Sequence, residues 1–425
     1  MRDHLVLIVA NYPDPKGEVF LELELKELEK KFRKISIIQT KKTAVSSNNF
    51  LFLPKNANVF KLVHSKINFF IKSFYFIFSK EIISELILLL KNKQSRFNIE
   101  SYKSLCYYHS YFIDSKSWFY NFFKTQVNFE QSIFYTYWCD QSTYTLAKLK
   151  KKHSDLTFVS RVHGWDLYPE RHETKYLPFR PFIFNKTSKI YTISKHGYNF
   201  LRDNYPNSGN SKFDISFLGV KSLGINCNYL KVEKKSNILH VLTISSIIPV
   251  KNLFCLVDSL SLIEDEEIQW THIGSSDNEE YKTDFFHFCD VKLSNKLNIN
   301  FEFKGFSPAS FIMNYLKNES VDLLINCSFS EGLPVSLMEG ASAGIPMIGF
   351  NVGGISEIIE NGKNGFLIED NNSAVELSKK IILFSKMNFE ERIQFSQNAY
   401  NLWAKKFDYS KNYNLFGEEL LDINN

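Results

Sequence analysis

Several motifs that carry chemistry are missing from this 425-residue sequence. Its six cysteines contain no C-x-x-C pair, which argues against a zinc site or a dense disulfide scaffold and favours a reducing, cytoplasmic compartment. There is no G-x-x-x-x-G-K-[ST] or G-x-G-x-x-G, which disfavours P-loop NTPases and dinucleotide-dependent oxidoreductases. Asp-x-Asp is also absent, so no metal-chelating pair of that kind is expected and no metal is required.

Long uninterrupted apolar runs are missing as well. The first ten residues are typical of a buried strand that is interrupted too soon for a signal peptide, so no export is expected. The most apolar later segment, Phe69–Leu90, contains Lys72, Lys80, Glu81 and Glu85, and is therefore not an ordinary spanning helix. Contact with one face of a bilayer remains open for it.

The size and net charge of the chain limit its number of domains and its classes of partner. A chain of 49.7 kDa is too long for one compact core, and two domains are the natural expectation. The net charge of +5 suits anionic substrates or an anionic membrane face. It falls short of the basic stripe of a nucleic-acid binder, so no nucleic-acid partner is predicted.

The second half alternates between β-branched runs and amphipathic stretches, which predicts a parallel, doubly wound sheet. The predicted strands are Ile238–Ser245, Gln269–Gly274, Asn300–Gly305, Val321–Asn326 and Pro346–Phe350. The predicted helices between them are Asn252–Glu264, Asn278–Leu293, Pro308–Asn318 and Leu333–Ala343. Ligands of such sheets bind at the carboxyl ends of the strands.

The first half alternates less cleanly but predicts a second α/β domain. Its predicted strands are His4–Ala10, Lys34–Thr40, Ser132–Trp138, Thr157–His163, Lys189–Ser194 and Phe213–Val220, with a helix over Val19–Phe32. Residues 221–237 are polar and are the predicted linker. The predicted domains are therefore 1–222 and 238–406, followed by an amphipathic terminal segment, 407–425.

The most informative stretch runs from Phe329 to Pro346. Pro334 is tolerated in a first helical turn, and Gly344 with Pro346 supplies a stop, so a short helix is predicted between them. Glu331 lies just before this helix and Glu339 lies one turn into it, so both carboxylates can face one ligand. The unpaired N–H groups of the first turn can hold an anion such as a diphosphate, which leaves the carboxylates for sugar hydroxyls.

Together with its surroundings, this stretch resembles the signature of the retaining glycosyltransferases of family 4. The matching residues are Ser330-Glu331-Gly332-Leu333-Pro334, Glu339, Gly344-Ile345-Pro346, Val352-Gly353-Gly354, Glu357 and Asn364-Gly365-Phe366-Leu367. The resemblance implies an α/β chain with the GT-B fold, two Rossmann-like doubly wound domains that face each other across a cleft. It further implies that Glu331 contacts hydroxyls of the donor sugar and that Glu339 holds the nucleotide ribose. The terminal segment is expected to cross back onto the first domain.

The resemblance assigns roles to further residues. In Ser245–Asn252, Lys251 matches the lysine that holds the donor diphosphate, whereas Ser246 stands where many members have arginine, which removes one positive charge from the expected clamp.

His163 and Asp166 match a His-Gly-x-Asp turn that faces the donor sugar. The alternative for His163 is a hydrogen-bonded structural histidine.

Glycines at strand ends complete the predicted donor site. Gly17 lies in a loop after the first strand that can present N–H groups to phosphate or acceptor. Many family members carry two adjacent glycines in this loop, whereas this chain has one. An ordinary turn explains the loop equally well. Gly274, Gly305 and Phe306 follow two strands of the second sheet, where nucleobase contact is plausible.

The predicted function is transfer of a hexose from a nucleotide sugar, UDP-linked, to a glycan of a bacterial surface polysaccharide such as capsule or O-antigen. The predicted site carries His163 and Glu331 as catalytic residues and needs neither metal nor cofactor. The acceptor is either lipid-linked, with peripheral contact at the cytoplasmic face of the inner membrane, or soluble. Two alternatives stay open: a non-catalytic GT-B subunit that binds nucleotide or glycan, and a nucleotide-sugar epimerase, which would turn over donor alone.

Overall fold

The structure is a computed structural model that describes residues 2–14, 18–41, 51–64, 79–92, 95–209, 212–225 and 238–423. The chain divides into two compact units. Unit 1 comprises Met1–Phe217 and Ser410–Asn425, and unit 2 comprises Leu218–Tyr409.

Unit 1 is built on a parallel sheet with the strand order β3-β2-β1-β4-β5-β6-β7. In register, His4 lies opposite Lys34 on one side and Ser132 on the other. This order, which reverses direction at β1, is that of a doubly wound fold. The strands are β1 (His4–Val9), β2 (Lys34–Gln39), β3 (Ala57–Lys61), β4 (Ser132–Thr136), β5 (Phe158–Val162), β6 (Lys189–Thr192) and β7 (Phe213–Ile215).

Several helices of unit 1 begin at a residue whose side chain caps them. Asp140 accepts a hydrogen bond from the Ser142 amide, 2.8 Å, and Ser194 accepts one from the Gly197 amide, 3.0 Å, which satisfies amides that the helix itself leaves unpaired. The helices are α1 (Leu21–Leu28), α2 (Lys80–Lys91), α3 (Ile99–Gln126), α4 (Gln141–Leu149), α5 (Gly164–Leu167), α6 (Arg180–Lys186), α7 (Lys195–Asn204) and, from the end of the chain, α14 (Tyr409–Asp422).

A buried ion pair lies beneath the terminal helix. The Arg161 guanidinium on β5 donates to the Glu24 carboxylate on α1, and both side chains are inaccessible to solvent. The same guanidinium lies 4.3 Å from the centroid of the Phe416 ring on α14 and donates to the Ser216 hydroxyl at 2.9 Å. Since Phe416 and Leu420 are also fully buried in the core over the sheet, α14 is an integral part of unit 1.

Unit 2 carries the second parallel sheet, with the order β10-β9-β8-β11-β12-β13. Its strands are β8 (Leu239–Ile244), β9 (Ile268–Ile273), β10 (Ile299–Phe303), β11 (Leu323–Asn326), β12 (Met347–Phe350) and β13 (Gly365–Ile368). The central strands are apolar on both faces because helices cover both sides of the sheet.

The helices of unit 2 bury one apolar stripe each. They are α8 (Leu253–Ser261), α9 (Glu279–Leu293), α10 (Ala309–Asn318), α11 (Val335–Ser342), α12 (Ala374–Ser385) and α13 (Phe389–Lys406). The core between α8, α9 and the sheet centres on Trp270, whose indole N–H donates to the Thr243 hydroxyl at 3.0 Å. A buried indole of this size needs such a partner.

Two parallel α/β units agree with the predicted fold class, and most predicted strands and helices are present with shifts of one or two residues at their ends. The predicted strand Phe213–Val220 is wrong in length, because only Phe213–Ile215 pairs with β6. The edge strands β3 and β13 were not predicted. β3 lies at a half-exposed edge and its sequence is partly polar, so it lacks a buried apolar run.

Candidate functional site

The predicted donor residues of unit 2 converge on one edge of its sheet. Ser246 and Lys251 follow β8, Gly274 follows β9, and Gly305 with Phe306 follows β10. Glu331, Gly332, Leu333 and Pro334 form the loop between β11 and α11. Since all strands of the sheet are parallel, these loops share the carboxyl edge where such folds bind ligands.

Glu331 is buried and held by three donors. Its carboxylate accepts hydrogen bonds from Lys251 Nζ at 2.6 Å, the Ser328 hydroxyl at 2.7 Å and the side-chain amide of Asn326 at 3.4 Å. Burial opposes ionisation, but the charge and hydrogen bond of Lys251 outweigh it, so the pKa of Glu331 lies below its usual value. The carboxylate is therefore ionised at neutral pH and positioned by its neighbours.

Glu339 has a different environment. It is half-buried on α11, and among the described residues no side chain or amide donates to its carboxylate. Burial alone raises its pKa to about 7. A half-buried carboxylate without donors can accept hydrogen bonds from a ligand. Two vicinal hydroxyls would donate one hydrogen bond to each carboxylate oxygen.

Glycines bring the loops of this edge together. Gly353 has a φ of +55°, and a Cβ atom there would lie 1.8 Å from the Glu331 carbonyl oxygen, while the Gly354 amide donates to the Gly332 carbonyl at 3.0 Å. Gly274 has a φ of +149°, and a Cβ atom there would lie 1.7 Å from the Ser245 carbonyl oxygen. Only glycine permits these close approaches.

The turn that carries Lys251 is joined to the Glu331 loop. The Phe329 amide donates to the Val250 carbonyl at 2.8 Å, which sets the distance between the lysine and the carboxylate. Ser246 is exposed in the same turn, and Phe306 is largely exposed after Gly305. Sequence reasoning missed Asn326 and Ser328 as supports of Glu331, although a polar residue at a strand end just before the motif was an available signal.

In unit 1, His163 precedes α5 and is buried. Its ring lies 4.7 Å from the Tyr137 ring and 4.5 Å from the Trp138 ring, measured between centroids, and both ring nitrogens are without a hydrogen-bond partner among the described residues. Burial, and secondly the charge of Arg161, hold its pKa well below the usual value, so the imidazole is neutral. A buried neutral imidazole with open nitrogens is available to a ligand.

Asp166 is used within the protein. One carboxylate oxygen accepts the His163 amide and the other accepts the Cys139 amide, each at 2.6 Å. Burial raises its pKa, which the two amides and Arg180 partly offset. The carboxylate therefore ties the turn after β5 to the loop after β4. Its predicted contact with the donor stays a prediction.

The loop after β1 is occupied by Glu18. The carboxylate of Glu18 accepts the amides of Ala10 at 2.6 Å, Asn11 at 3.1 Å and Tyr12 at 2.8 Å, and the Trp138 indole N–H at 3.1 Å. An internal carboxylate thus takes the N–H groups that the sequence offered to a phosphate or acceptor. Gly17, the residue predicted for this loop, lies outside the described residues.

A pocket of about 1010 Å³ lies in unit 1, at the carboxyl edge of its sheet. Its lining is aromatic and polar, and includes Tyr107, Trp138, Asp140, Gln141, Trp165 and Arg171. Trp165 and Tyr107 are more than half exposed. Burial raises the pKa of Asp140 to about 6.

Two features are absent from the described residues. Within residues 2–423, apart from the undescribed gaps, no group of three or more His, Cys, Asp or Glu side chains is placed to hold a metal ion. Over the same ranges, no helix has the length and apolar character that crossing a bilayer requires.

Comparison with known proteins gives concordant matches. Residues 230–402 match the family described as glycosyl transferases group 1. An uncharacterised glycosyltransferase of Methanocaldococcus jannaschii is 27% identical over 265 residues, which are 62% of this chain and 68% of that protein. The amylovoran biosynthesis glycosyltransferase AmsK of Erwinia amylovora is 26% identical over 141 residues, only 32% of this chain and 33% of its own length.

The structural match extends over the whole chain. The crystal structure of HepE of Anabaena in complex with UDP has a TM-score of 0.62 and 15% identity, covering 99% of this chain and 100% of that one. At this identity the likeness shows the fold alone.

Proposed function

We propose that this chain, which belongs to the group 1 glycosyltransferases and has the GT-B fold, transfers a hexose from a UDP-sugar to a glycan hydroxyl with retention at the anomeric carbon, as in family 4. The observation that carries the proposal is the contrast between two carboxylates at one edge of unit 2. Glu331 is ionised and paired with Lys251, whereas Glu339 is half-buried without donors. The UDP named in the HepE structure supports the choice of nucleotide.

In this proposal Glu339 accepts the ribose hydroxyls and Lys251 faces the diphosphate. Lys251 Nζ already lies 2.6 Å from Glu331, so a diphosphate that meets the ammonium also places the attached sugar beside the Glu331 carboxylate. The unpaired N–H groups that begin α11, after Pro334, add positive potential. These groups stabilise the departing diphosphate without a metal, which also offsets the missing arginine at Ser246.

Retention at the anomeric carbon does not require a general base from the protein. The departing phosphate can accept the proton of the acceptor hydroxyl on the same face of the sugar, so catalysis rests on positioning and on charge stabilisation. Glu331 then orients the sugar, and the neutral imidazole of His163 in unit 1 stays a predicted catalytic group.

We assign the glycan acceptor to the pocket of unit 1. Its exposed Trp165 and Tyr107 rings can pack on the apolar face of a sugar ring, and Asp140 can accept a hydroxyl hydrogen bond. The amylovoran biosynthesis in the name of the Erwinia amylovora relative supports a polysaccharide as the product, and we propose a lipid-linked glycan of the cell surface as the acceptor. The five described cysteines without disulfides fit a reducing, cytoplasmic compartment.

Calorimetry with UDP, GDP and ADP, without added metal, tests the donor assignment. We expect UDP to bind, and Glu339→Ala to weaken it by about tenfold or more, since about 1.4 kcal/mol is lost with the ribose hydrogen bonds. Glu280→Ala is the matched control, because Glu280 is an exposed glutamate of the same unit. Absence of nucleotide binding by the folded chain would favour a non-catalytic subunit.

A turnover assay separates the remaining alternatives. With UDP-hexose and a glycan acceptor, Glu331→Gln should retain UDP binding but lose transfer, since it removes the charge that orients the sugar. Conversion of the donor sugar in the absence of any acceptor would instead indicate an epimerase.

A further inference from the structure

Helix α2 buries a carboxylate that makes no ion pair with the described residues. Glu85 is 4% exposed, and its Oε1 atom accepts hydrogen bonds from the Tyr176 hydroxyl at 2.6 Å and the Phe179 amide at 2.8 Å. Burial raises the pKa of Glu85, and these two donors and the charge of Arg180 offset the rise only in part. Because burying a carboxylate without an ion pair opposes folding, stability alone does not account for this residue.

Both hydrogen bonds of Glu85 lead to one wall of the pocket in unit 1. Thr174, Tyr176, Leu177 and Pro178 line that pocket, whereas Glu85 does not. We call residues 174–178 the pocket wall. Since Tyr176 belongs to the wall and Phe179 follows it directly, Glu85 can affect a ligand in the pocket only through the wall.

The backbone of this segment is strained. Lys175 has a φ of +49° and Phe179 a φ of +59°, a region that residues other than glycine seldom adopt. A bulky residue keeps such a conformation only where its surroundings hold it there. For Phe179 these surroundings are the Glu85 carboxylate on its amide and the Tyr144 ring, which stacks on the Phe179 ring with 4.2 Å between centroids. The shape of the wall therefore depends on contacts from outside it.

The two ends of the wall are held separately. At its start, the buried hydroxyl of Ser95, in the connection between α2 and α3, donates to the Thr174 carbonyl at 2.8 Å. After its end, the Arg180 guanidinium donates to the Asp166 carbonyl at 2.7 Å. Glu85 supplies the hold between these two points, at Tyr176 and Phe179.

We propose that Glu85 is a positioning residue for acceptor recognition, which holds Tyr176 and the pocket wall in the shape that selects the acceptor sugar. The inference rests on the proposed function, because it takes the pocket of unit 1 as the acceptor site. A tyrosine hydroxyl has one proton, and that of Tyr176 is given to Glu85. The wall thus presents the side chains of Leu177 and Pro178 and no hydroxyl proton, which suits the apolar face of a sugar ring.

Helix α2 also provides a matched control. Glu81 lies one turn before Glu85 on the same helix and is paired with Lys148 at 2.8 Å and with Lys151. Neither lysine lines the pocket. Glu81→Ala therefore removes an anchor of α2 without touching the wall, whereas Glu85→Ala removes the support of the wall itself.

Binding of simple sugars to the full chain tests the proposal. The probes are the methyl α-glycosides of glucose, galactose and mannose, followed by tryptophan fluorescence because Trp138 and Trp165 line the pocket. We expect the unchanged protein to bind one of the three more tightly than the others. Glu85→Ala should weaken binding of that glycoside by about tenfold and remove the preference, because a wall without its support no longer fits one sugar.

Two further variants separate positioning from stability. Glu85→Gln keeps an oxygen that can accept from Tyr176 and Phe179, so its glycoside affinities should stay within about twofold of those of the unchanged protein. Tyr176→Phe removes one of the two hydrogen bonds by a smaller change, and should weaken the preferred glycoside by about threefold even if Glu85→Ala does not fold. Glu81→Ala should keep both affinity and preference, even where its unfolding temperature is lowered.

Three outcomes would overturn the proposal while the proposed function stands. The first is an unchanged glycoside preference in Glu85→Ala or, where that variant does not fold, in Tyr176→Phe. The second is an equal loss in Glu85→Ala and Glu81→Ala, which would mark a role in stability. The third is an equal loss in Glu85→Ala and Glu85→Gln, which would mean that the charge matters and the hydrogen bonds do not.

Failure of the proposed function gives a different result. Calorimetry with UDP reports on the donor site of unit 2 and should give the same affinity in all four variants. If the unchanged protein binds UDP but none of the three glycosides, the assignment of the acceptor to this pocket is wrong, and the role of Glu85 falls with it.

Discussion

Glu339→Gln should make the free protein more stable at neutral and alkaline pH while it weakens nucleotide binding. In the free chain the Glu339 carboxylate is half-buried without donors, and burial raises its pKa from the usual 4.5 to about 7. A difference of this size between folded and unfolded chains corresponds to about 3 kcal/mol. The carboxylate therefore opposes folding until a ligand satisfies it.

The pH dependence follows from the direction of the shift. Because the folded pKa is the higher one, the stabilising contribution of the protonated group is present below about pH 4.5 and is lost as the pH rises to about 7. Glutamine does not titrate. The free energy of unfolding of Glu339→Gln should therefore exceed that of the unchanged protein by up to about 3 kcal/mol above pH 7, and the excess should shrink towards pH 4.5.

Denaturant unfolding over a pH series, in the absence of nucleotide, measures this difference. Glu280→Gln on α9 is the control, since an exposed glutamate should give the same result at each pH. Added UDP should stabilise the unchanged protein more than Glu339→Gln, because ligand binding adds stability in proportion to affinity. A pH-independent difference, or a less stable variant above pH 7, would refute the reasoning, since it would mean that Glu339 is already satisfied in the free protein.

Two further predictions concern stability and the donor loop. Glu24→Gln should lower the free energy of unfolding of unit 1 by about 3–5 kcal/mol, because it leaves the buried Arg161 charge without its partner. Chemical denaturation measures this loss against the exposed control Glu130→Gln. A loss below about 1 kcal/mol would contradict the prediction. Gly353→Ala should reduce UDP affinity by about tenfold, because the added Cβ atom would lie 1.8 Å from the Glu331 carbonyl oxygen. The control for calorimetry is Gly362→Ala, where φ is also positive but the space is open, so that the clash is separated from backbone strain. Equal UDP affinities of the two variants would show that the clash is harmless.

The tertiary structure shows which contacts within the protein some predicted site residues make. Asp166 is predicted to contact the donor sugar, and in the folded chain each of its carboxylate oxygens accepts one backbone amide. The sequence of the loop after β1 fits an ordinary turn as well as a phosphate or acceptor site, and in the folded chain the Glu18 carboxylate accepts three amides of this loop. In both cases the sequence displays a polar residue next to a strand end, but only the folded backbone decides whether the nearest donors belong to the protein or to a ligand.

The sequence by itself determined the parallel α/β class of unit 2 and the position of its candidate site along the chain. Strands buried on both faces are continuous apolar runs in the sequence. Pro334, Gly344 and Pro346 set the ends of a helix through local backbone restrictions. The strands and the helix can therefore be predicted without knowledge of tertiary contacts. The motif from Ser330 to Glu339 is local for the same reason. Only the tertiary structure decided which distant residues pair, as Lys251 does with Glu331 and Arg161 with Glu24. Such contacts depend on how strands are ordered in a sheet, and the alternation of strands and helices along the chain leaves that order open.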